Sequence, residues 1–84
     1  MVRAIIVPGN GCTQTLNSNW YGWAARRLRD SGLFSEVLAP NMPSPFVAER
    51  EVWLPFLLEQ CKPGGTEDYV IIGHSSGAVA AMRL

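Results

Sequence analysis

The chain has 84 residues, of which 48% are hydrophobic, and its seven basic residues balance seven acidic ones. We expect one globular domain at most, and a formal net charge of zero offers no basic field that would attract nucleic acid or anionic lipid. No apolar run reaches the roughly 20 residues of a membrane helix, and Cys12 and Cys61 have neither zinc-site nor disulfide spacing. The sequence therefore predicts a cytoplasmic protein with free thiols, no metal, and no membrane or nucleic-acid partner.

The chain opens with a predicted strand and helix. Residues 3–7 are apolar and rich in β-branched side chains, and Pro8-Gly9-Asn10-Gly11 follows them, which predicts a strand buried on both faces and then a turn. The next apolar positions recur at helical spacing, so we expect a helix that is capped near Ser18 or Asn19 and ends at Gly32. The apolar positions of this helix are Trp20, Trp23, Ala24 and Leu28.

Two more strands and two more helices are predicted after Gly32. Residues 36–39 predict a short second strand, and prolines 40, 43 and 45 predict an extended link. Residues 46–61 predict a helix in which Pro55 causes a kink near Trp53 or a new helix start there. Residues 69–72 predict a third, interior strand, followed by an alanine-rich helix. The apolar face of the second helix comprises Trp53, Leu54, Leu57, Leu58 and Cys61.

Strands that alternate with helices predict a parallel sheet in an α/β layer architecture. Three strands leave both sheet edges unpaired, and the last helix has no glycine cap or polar tail. We therefore expect residues 1–84 to be the N-terminal part of a single larger α/β domain.

Gly73-x-Ser75-x-Gly77 matches the pattern of a nucleophile elbow, in which a serine occupies a strained turn between a strand and a helix. Small residues are needed on both sides because larger side chains would collide with the neighbouring strand and helix. The backbone N–H of Ser76 is the first candidate donor to an oxyanion, and the N–H of Asn10 or of Gly11 is the second. The alternative interpretation of Ser75 is an ordinary helix N-cap.

His74 is the sole histidine, and we expect it to point into the protein as a hydrogen-bonded packing residue because neighbouring side chains on an elbow diverge. Serine triads of this architecture place the acid and the histidine after the serine, and no acid or histidine follows Ser75. Without a base, a serine hydroxyl is a poor nucleophile. The catalytic machinery within these residues is thus expected to be incomplete.

Other interpretations are weaker. Gly9-Asn10-Gly11 begins like a dinucleotide fingerprint, but position 14 is Gln where a glycine is required. The aromatic residues are expected mainly in the core, with either Trp20 or Tyr21 able to border a substrate pocket. The expected core aromatics are Trp20, Trp23, Trp53 and Phe56.

Several sequence blocks resemble the small serine hydrolases typified by retinoblastoma-binding protein nine. The resemblance covers the whole chain and implies a compact α/β-hydrolase fold, a three-layer sandwich with a parallel sheet, and a Ser-Asp-His triad that needs no cofactor. By position, it implies that Ser75 is the nucleophile. The matching blocks are residues 5–11, Trp20-Tyr21-Gly22-Trp23, Asn41-Met42-Pro43, Trp53-Leu54-Pro55-Phe56 and residues 71–78.

The sequence departs from this family in two respects. It ends soon after the elbow, so the fold is expected to be truncated after the elbow helix and the chain to be inactive alone. The L-x-C-x-E motif is absent around Cys61, so binding to the retinoblastoma pocket is not expected. The sequence predicts a serine hydrolase of small esters or amides; the alternative is a non-catalytic interaction module or a partial gene product.

Overall fold

A computed structural model describes residues 2–44, 46–47, 50–60 and 68–84, with only the backbone of Gln60. The predicted features at Pro45 and at residues 61–67, including Cys61, lie outside the described residues. No helix in these ranges has the length and apolar character needed to cross a membrane. The described elements are β1 (Val2–Val7), a 3-10 turn (Thr15–Asn17), α1 (Tyr21–Asp30), β2 (Phe34–Leu38), α2 (Arg50–Gln60), β3 (Asp68–Gly73) and α3 (Ser76–Arg83).

The strands form a parallel sheet in the order β2-β1-β3. The pairing of β1 with β3 is regular from Val2 opposite Asp68 to Val7 opposite Gly73. The prediction of a parallel α/β sheet is confirmed, but the prediction that β3 is interior is wrong for the described sheet. β3 lies at an edge and exposes Tyr69 and Val70, because both crossovers leave β1 in the centre.

Successive side chains of β1 point to opposite faces of the sheet, so the strand contributes to two cores. On one face Ile5 and Val7 pack with residues of α2 and α3, and on the other Ala4 and Ile6 pack with residues of α1. Helices therefore cover both faces of the sheet, which gives three layers as predicted. The first core, the Trp53 cluster, contains Ile5, Val7, Met42, Trp53, Leu57 and Ala80. The second, the Tyr21 cluster, contains Ala4, Ile6, Tyr21, Ala25 and Val37.

Most of the predicted apolar face of α1 packs against the Tyr21 cluster, as Trp20, Ala24 and Leu28 do, and Trp23 is the exception. Tyr21, Gly22 and Ala25 are buried. Trp23 is 59% exposed, and the guanidinium carbon of Arg27 lies over its ring, 5.4 Å from the ring centre. A Cβ at Gly22 would lie 2.1 Å from a backbone carbonyl oxygen of the 3-10 turn, so α1 can pack this closely only through a residue without a side chain.

For α1, the prediction of the N-terminal end is wrong and that of the C-terminal end is confirmed. Its N-cap is Trp20, which makes no side-chain capping bond, so the predicted cap at Ser18 or Asn19 is wrong. Ser18 contributes through its backbone instead, because its carbonyl accepts the Tyr21 N–H at 3.2 Å. Gly32, with a φ of 71°, follows the helix end as predicted.

α2 (Arg50–Gln60) runs through Pro55, so of the two predicted alternatives the new helix start at Trp53 is wrong, and the kink near Trp53 stays a prediction. Trp53 is 1% exposed, and its indole N–H donates to the Pro43 carbonyl at 2.8 Å. This bond anchors α2 to the link that follows β2, and the burial of Trp53 offsets the hydrogen bond that Pro55 cannot make.

The buried face of α2 is narrower than predicted, since Leu57 is fully buried but Leu58 is 54% exposed. Leu57→Ala should destabilise the fold by about 2–5 kcal/mol because it leaves a cavity in the Trp53 cluster. Leu58→Ala, the neighbouring control, should change the free energy of unfolding by less than about 0.5 kcal/mol. Urea unfolding followed by circular dichroism measures both, and equal losses would contradict the assigned core.

Candidate active site

The carboxyl ends of β1 and β3 meet at a point where the chain leaves the sheet in two directions. The loop after β1 leads to α1 on one face, and the turn after β3 leads directly to α3 on the other. Such switch points form crevices in open α/β sheets and are where ligands bind. An open groove of about 360 Å³ lies here, lined by residues 9–12 of the first loop, by Ser18, Asn19 and Tyr21, and by His74 and Ser75.

Ser75 sits on the turn between β3 and α3 with φ 55° and ψ −119°, a conformation that costs a non-glycine residue about 1–3 kcal/mol. It occupies the N-cap position of α3, yet its hydroxyl makes no capping hydrogen bond to the described backbone of that helix. The side chain is exposed in the groove. This geometry does not support the ordinary N-cap interpretation, which would explain Ser75 through its bonding to α3.

Three glycines allow the strained turn to lie close to its neighbours. A Cβ at Gly77 would lie 2.1 Å from the Val7 carbonyl oxygen, and one at Gly73 would lie 2.6 Å from the Cα of Ala78. At Gly9, a Cβ would lie 3.3 Å from that of Ser75. The first two approaches exclude any side chain, so the glycines of the G-x-S-x-G pattern are explained by contacts of α3 with β3 and with the end of β1.

Of the residues predicted to bind an oxyanion, Asn10 and Gly11 line this groove, and Ser76 is hydrogen-bonded to Asn10 beside it. The Ser76 hydroxyl donates to the Asn10 side-chain oxygen at 3.1 Å, which joins the turn after β3 to the loop after β1. The Ser76 N–H is at the first position of α3, and no acceptor in the described part of the chain takes it. Gly11 lines the same groove with a φ of 85°. Their roles as donors stay predictions.

His74 and Tyr21 form a contact that sequence reasoning missed. The Tyr21 hydroxyl lies 2.7 Å from His74 Nδ1 and accepts the Gly9 N–H at 3.0 Å. His74 is hydrogen-bonded and packs edge-on against Trp20, as a packing histidine would, but it is exposed and lines the groove. The prediction that it points into the protein is therefore wrong, because Tyr21 holds the ring at the groove wall.

Of the two aromatic residues predicted as possible pocket neighbours, Tyr21 lines the groove and Trp20 packs behind it, 4.7 Å from the Tyr21 ring. Cys12, in the same wall, is partly buried with its sulfur 4.0 Å from the Thr15 hydroxyl oxygen. Across residues 2–44, 46–47, 50–60 and 68–84, no three His, Cys, Asp or Glu side chains converge as metal ligands.

The parallel sheet, its helices on both faces and the serine turn at its carboxyl edge define the α/β-hydrolase-like class of fold. Within that class, the chain is 46% identical over 81 residues to serine hydrolase RBBP9 of Rattus norvegicus. The match covers 96% of this chain but only 42% of the rat protein, so the chain spans less than half the length of that relative. No family model matches the chain. The resemblance to these small serine hydrolases is confirmed.

Gly77→Ala should destabilise the fold by about 1–3 kcal/mol or more, because the added methyl group would overlap two backbone carbonyls of β1 and its loop. The control is Gly32→Ala, where φ is 71° but no atom lies within 4 Å of the added carbon, so only backbone strain is introduced. Chemical denaturation measures both variants. A loss at Gly77 no larger than that at Gly32 would contradict the close seating of α3 on β1.

Proposed function

We propose that this chain carries the nucleophile and the oxyanion donors of a serine hydrolase that cleaves a small ester or amide. The observation that carries the proposal is the Ser75 turn: the serine has positive φ, its hydroxyl makes no capping bond to the described α3 backbone, and it borders a groove at the carboxyl edge of a parallel sheet. The similarity to serine hydrolase RBBP9 supports the same class of reaction.

In the proposed reaction, Ser75 Oγ attacks the substrate carbonyl carbon while a base takes the hydroxyl proton. The carbonyl oxygen becomes an oxyanion that accepts hydrogen bonds from the N–H of Ser76 and the N–H of Asn10 or Gly11. The tetrahedral intermediate collapses, and the leaving alcohol or amine departs with the proton that the base returns. Water then attacks the acyl-serine by the reverse sequence, which releases the acid and restores Ser75.

The base and its orienting acid are proposed to lie outside these 84 residues, since no acid or histidine follows Ser75 in the sequence. We propose that side chains outside these residues also complete the pocket and set its preference for the acyl group. A cytoplasmic location, a small-molecule substrate and no retinoblastoma-pocket binding stay predictions from the sequence.

A non-catalytic interaction module is the second candidate, and exposed apolar groups favour it. At the β3 edge Val70 is 44% exposed, and on α3 Val79 and Met82 are 47% and 87% exposed. An edge strand with apolar neighbours is able to pair with another chain. Reactivity of Ser75 separates the two candidates, because an interaction module has no need of an activated serine.

A chimera tests the proposed nucleophile. In it, this chain replaces the matching part of the rat serine hydrolase RBBP9, so that the rest of the fold is supplied. We expect labelling by a fluorophosphonate, a reagent that needs an activated serine, and Ser75→Ala should reduce its rate by about 1,000-fold or more. Intact-mass spectrometry measures the adduct.

The matched control for the chimera is Ser31→Ala, because Ser31 is an exposed serine at the end of α1 whose hydroxyl bonds locally, to the Leu28 carbonyl and the Leu33 N–H. It should leave labelling unchanged. Undiminished labelling of a folded Ser75→Ala chimera would exclude Ser75 as the nucleophile.

The 84-residue chain by itself should not be labelled, because a serine without a base is a weak nucleophile at neutral pH. The same reagent and mass measurement apply, on a sample whose fold is verified by circular dichroism. Labelling that Ser75→Ala removes would mean that a base is available within the chain or from a second copy, contrary to the proposed division of the catalytic machinery.

A further inference from the structure

The Tyr21 hydroxyl is hydrogen-bonded to both walls of the groove from a buried position. Tyr21 is 2% exposed and lies at the start of α1. Its oxygen is 3.0 Å from the Gly9 nitrogen in the loop after β1 and 2.7 Å from His74 Nδ1 in the turn after β3. These two contacts join segments that are far apart in sequence.

The direction of each bond follows from which atoms carry hydrogens. A backbone N–H only donates, so the Tyr21 oxygen is the acceptor for Gly9. Among the described residues, His74 Nδ1 is the remaining partner of this buried hydroxyl, so donation to Nδ1 is the direction that leaves the hydroxyl proton paired. A neutral imidazole holds one ring proton, and in this arrangement it is on Nε2.

From this arrangement we infer that Tyr21 is a positioning residue of the groove. It holds the loop of residues 9–11 against the Ser75 turn, and it fixes the tautomer of His74. The consequence for catalysis rests on the proposed function: the loop carries the candidate oxyanion donors Asn10 and Gly11, whose N–H groups follow directly after the one that Tyr21 binds.

The same bonds withhold His74 from acting as the base for Ser75. With Nδ1 accepting from Tyr21 and Nε2 carrying the proton, neither ring nitrogen has a lone pair available for the serine proton. Adjacency in sequence therefore does not make a Ser-His pair here. Tyr21 therefore influences the groove through its hydrogen bonds to His74 and Gly9 and has no direct part in the proposed reaction.

Nuclear magnetic resonance of the unmodified chain gives the first test, and it needs no catalysis. Because His74 is the sole histidine, its two ring nitrogens are assigned without ambiguity. We expect the ¹⁵N shift of an unprotonated nitrogen at Nδ1, a protonated Nε2, and a slowly exchanging Tyr21 hydroxyl proton. A proton on Nδ1 in the folded neutral form would overturn the inference.

Tyr21→Phe gives the second test, with Tyr69→Phe as the matched control because Tyr69 is the other tyrosine and is partly exposed on β3. Removing the Tyr21 hydroxyl should speed amide exchange at Gly9 roughly tenfold or more, with faster exchange at Asn10 and Gly11, and should shift His74 Nδ1. Tyr69→Phe should change none of these.

Equal exchange at Gly9 in the two variants would overturn the inference, and the unmodified-chain spectrum decides it if Tyr21→Phe does not fold. These readouts are independent of the proposed hydrolysis. Undiminished fluorophosphonate labelling of the Ser75→Ala chimera would contradict the proposed function but not the Tyr21 hydrogen bonds. Unchanged amide exchange at Gly9 in Tyr21→Phe would contradict the positioning role but not Ser75 as the nucleophile.

Discussion

The contact between Gly77 and the end of β1 is the constraint on which the groove depends. A Cβ at this position would lie 2.1 Å from the Val7 carbonyl oxygen and 2.5 Å from that of Pro8. The first turn of α3 can therefore lie directly on the carboxyl end of β1 only because Gly77 has no side chain. That seating brings the Ser75 turn and the loop after β1 within contact of each other, as the 3.3 Å from a Cβ at Gly9 to that of Ser75 shows.

The strain at Ser75 is held by hydrogen bonds on both sides of it. Before it, the His74 N–H donates to the Val7 carbonyl at 3.1 Å; after it, the Gly77 and Ala78 N–H groups donate to the His74 and Ser75 carbonyls at 2.9 and 3.0 Å. Three such bonds contribute about 0.5–1.5 kcal/mol each, a total of the same size as the roughly 1–3 kcal/mol cost of the backbone conformation. The turn therefore keeps its geometry without any bond from the serine hydroxyl.

The sequence predicts those parts of the fold that depend on local pattern. The β-branched run of β1, the order of strands and helices, and Ser75 at a strand-to-helix turn all follow from neighbouring residues and hold in the structure. The burial of Tyr21 and Gly22 does not, because it depends on the approach of Gly22 to a carbonyl of the 3-10 turn, a tertiary contact. The Tyr21 bond to His74 spans 53 residues, and no local spacing signals it.

The hydrogen bonds already made at the groove determine which N–H groups the proposed reaction can use. At the groove, the Gly9 N–H is bound by Tyr21 and the His74 N–H by Val7. The Ser76 N–H has no intrahelical partner because the first turn of any helix leaves its donors unpaired. A backbone N–H that already bonds a buried acceptor would have to break that bond to donate to an oxyanion. The acceptor would then be unsatisfied, which costs about 1–3 kcal/mol. Because Tyr21 already binds the Gly9 N–H, the proposed second donor is the N–H of one of the next two residues, Asn10 or Gly11.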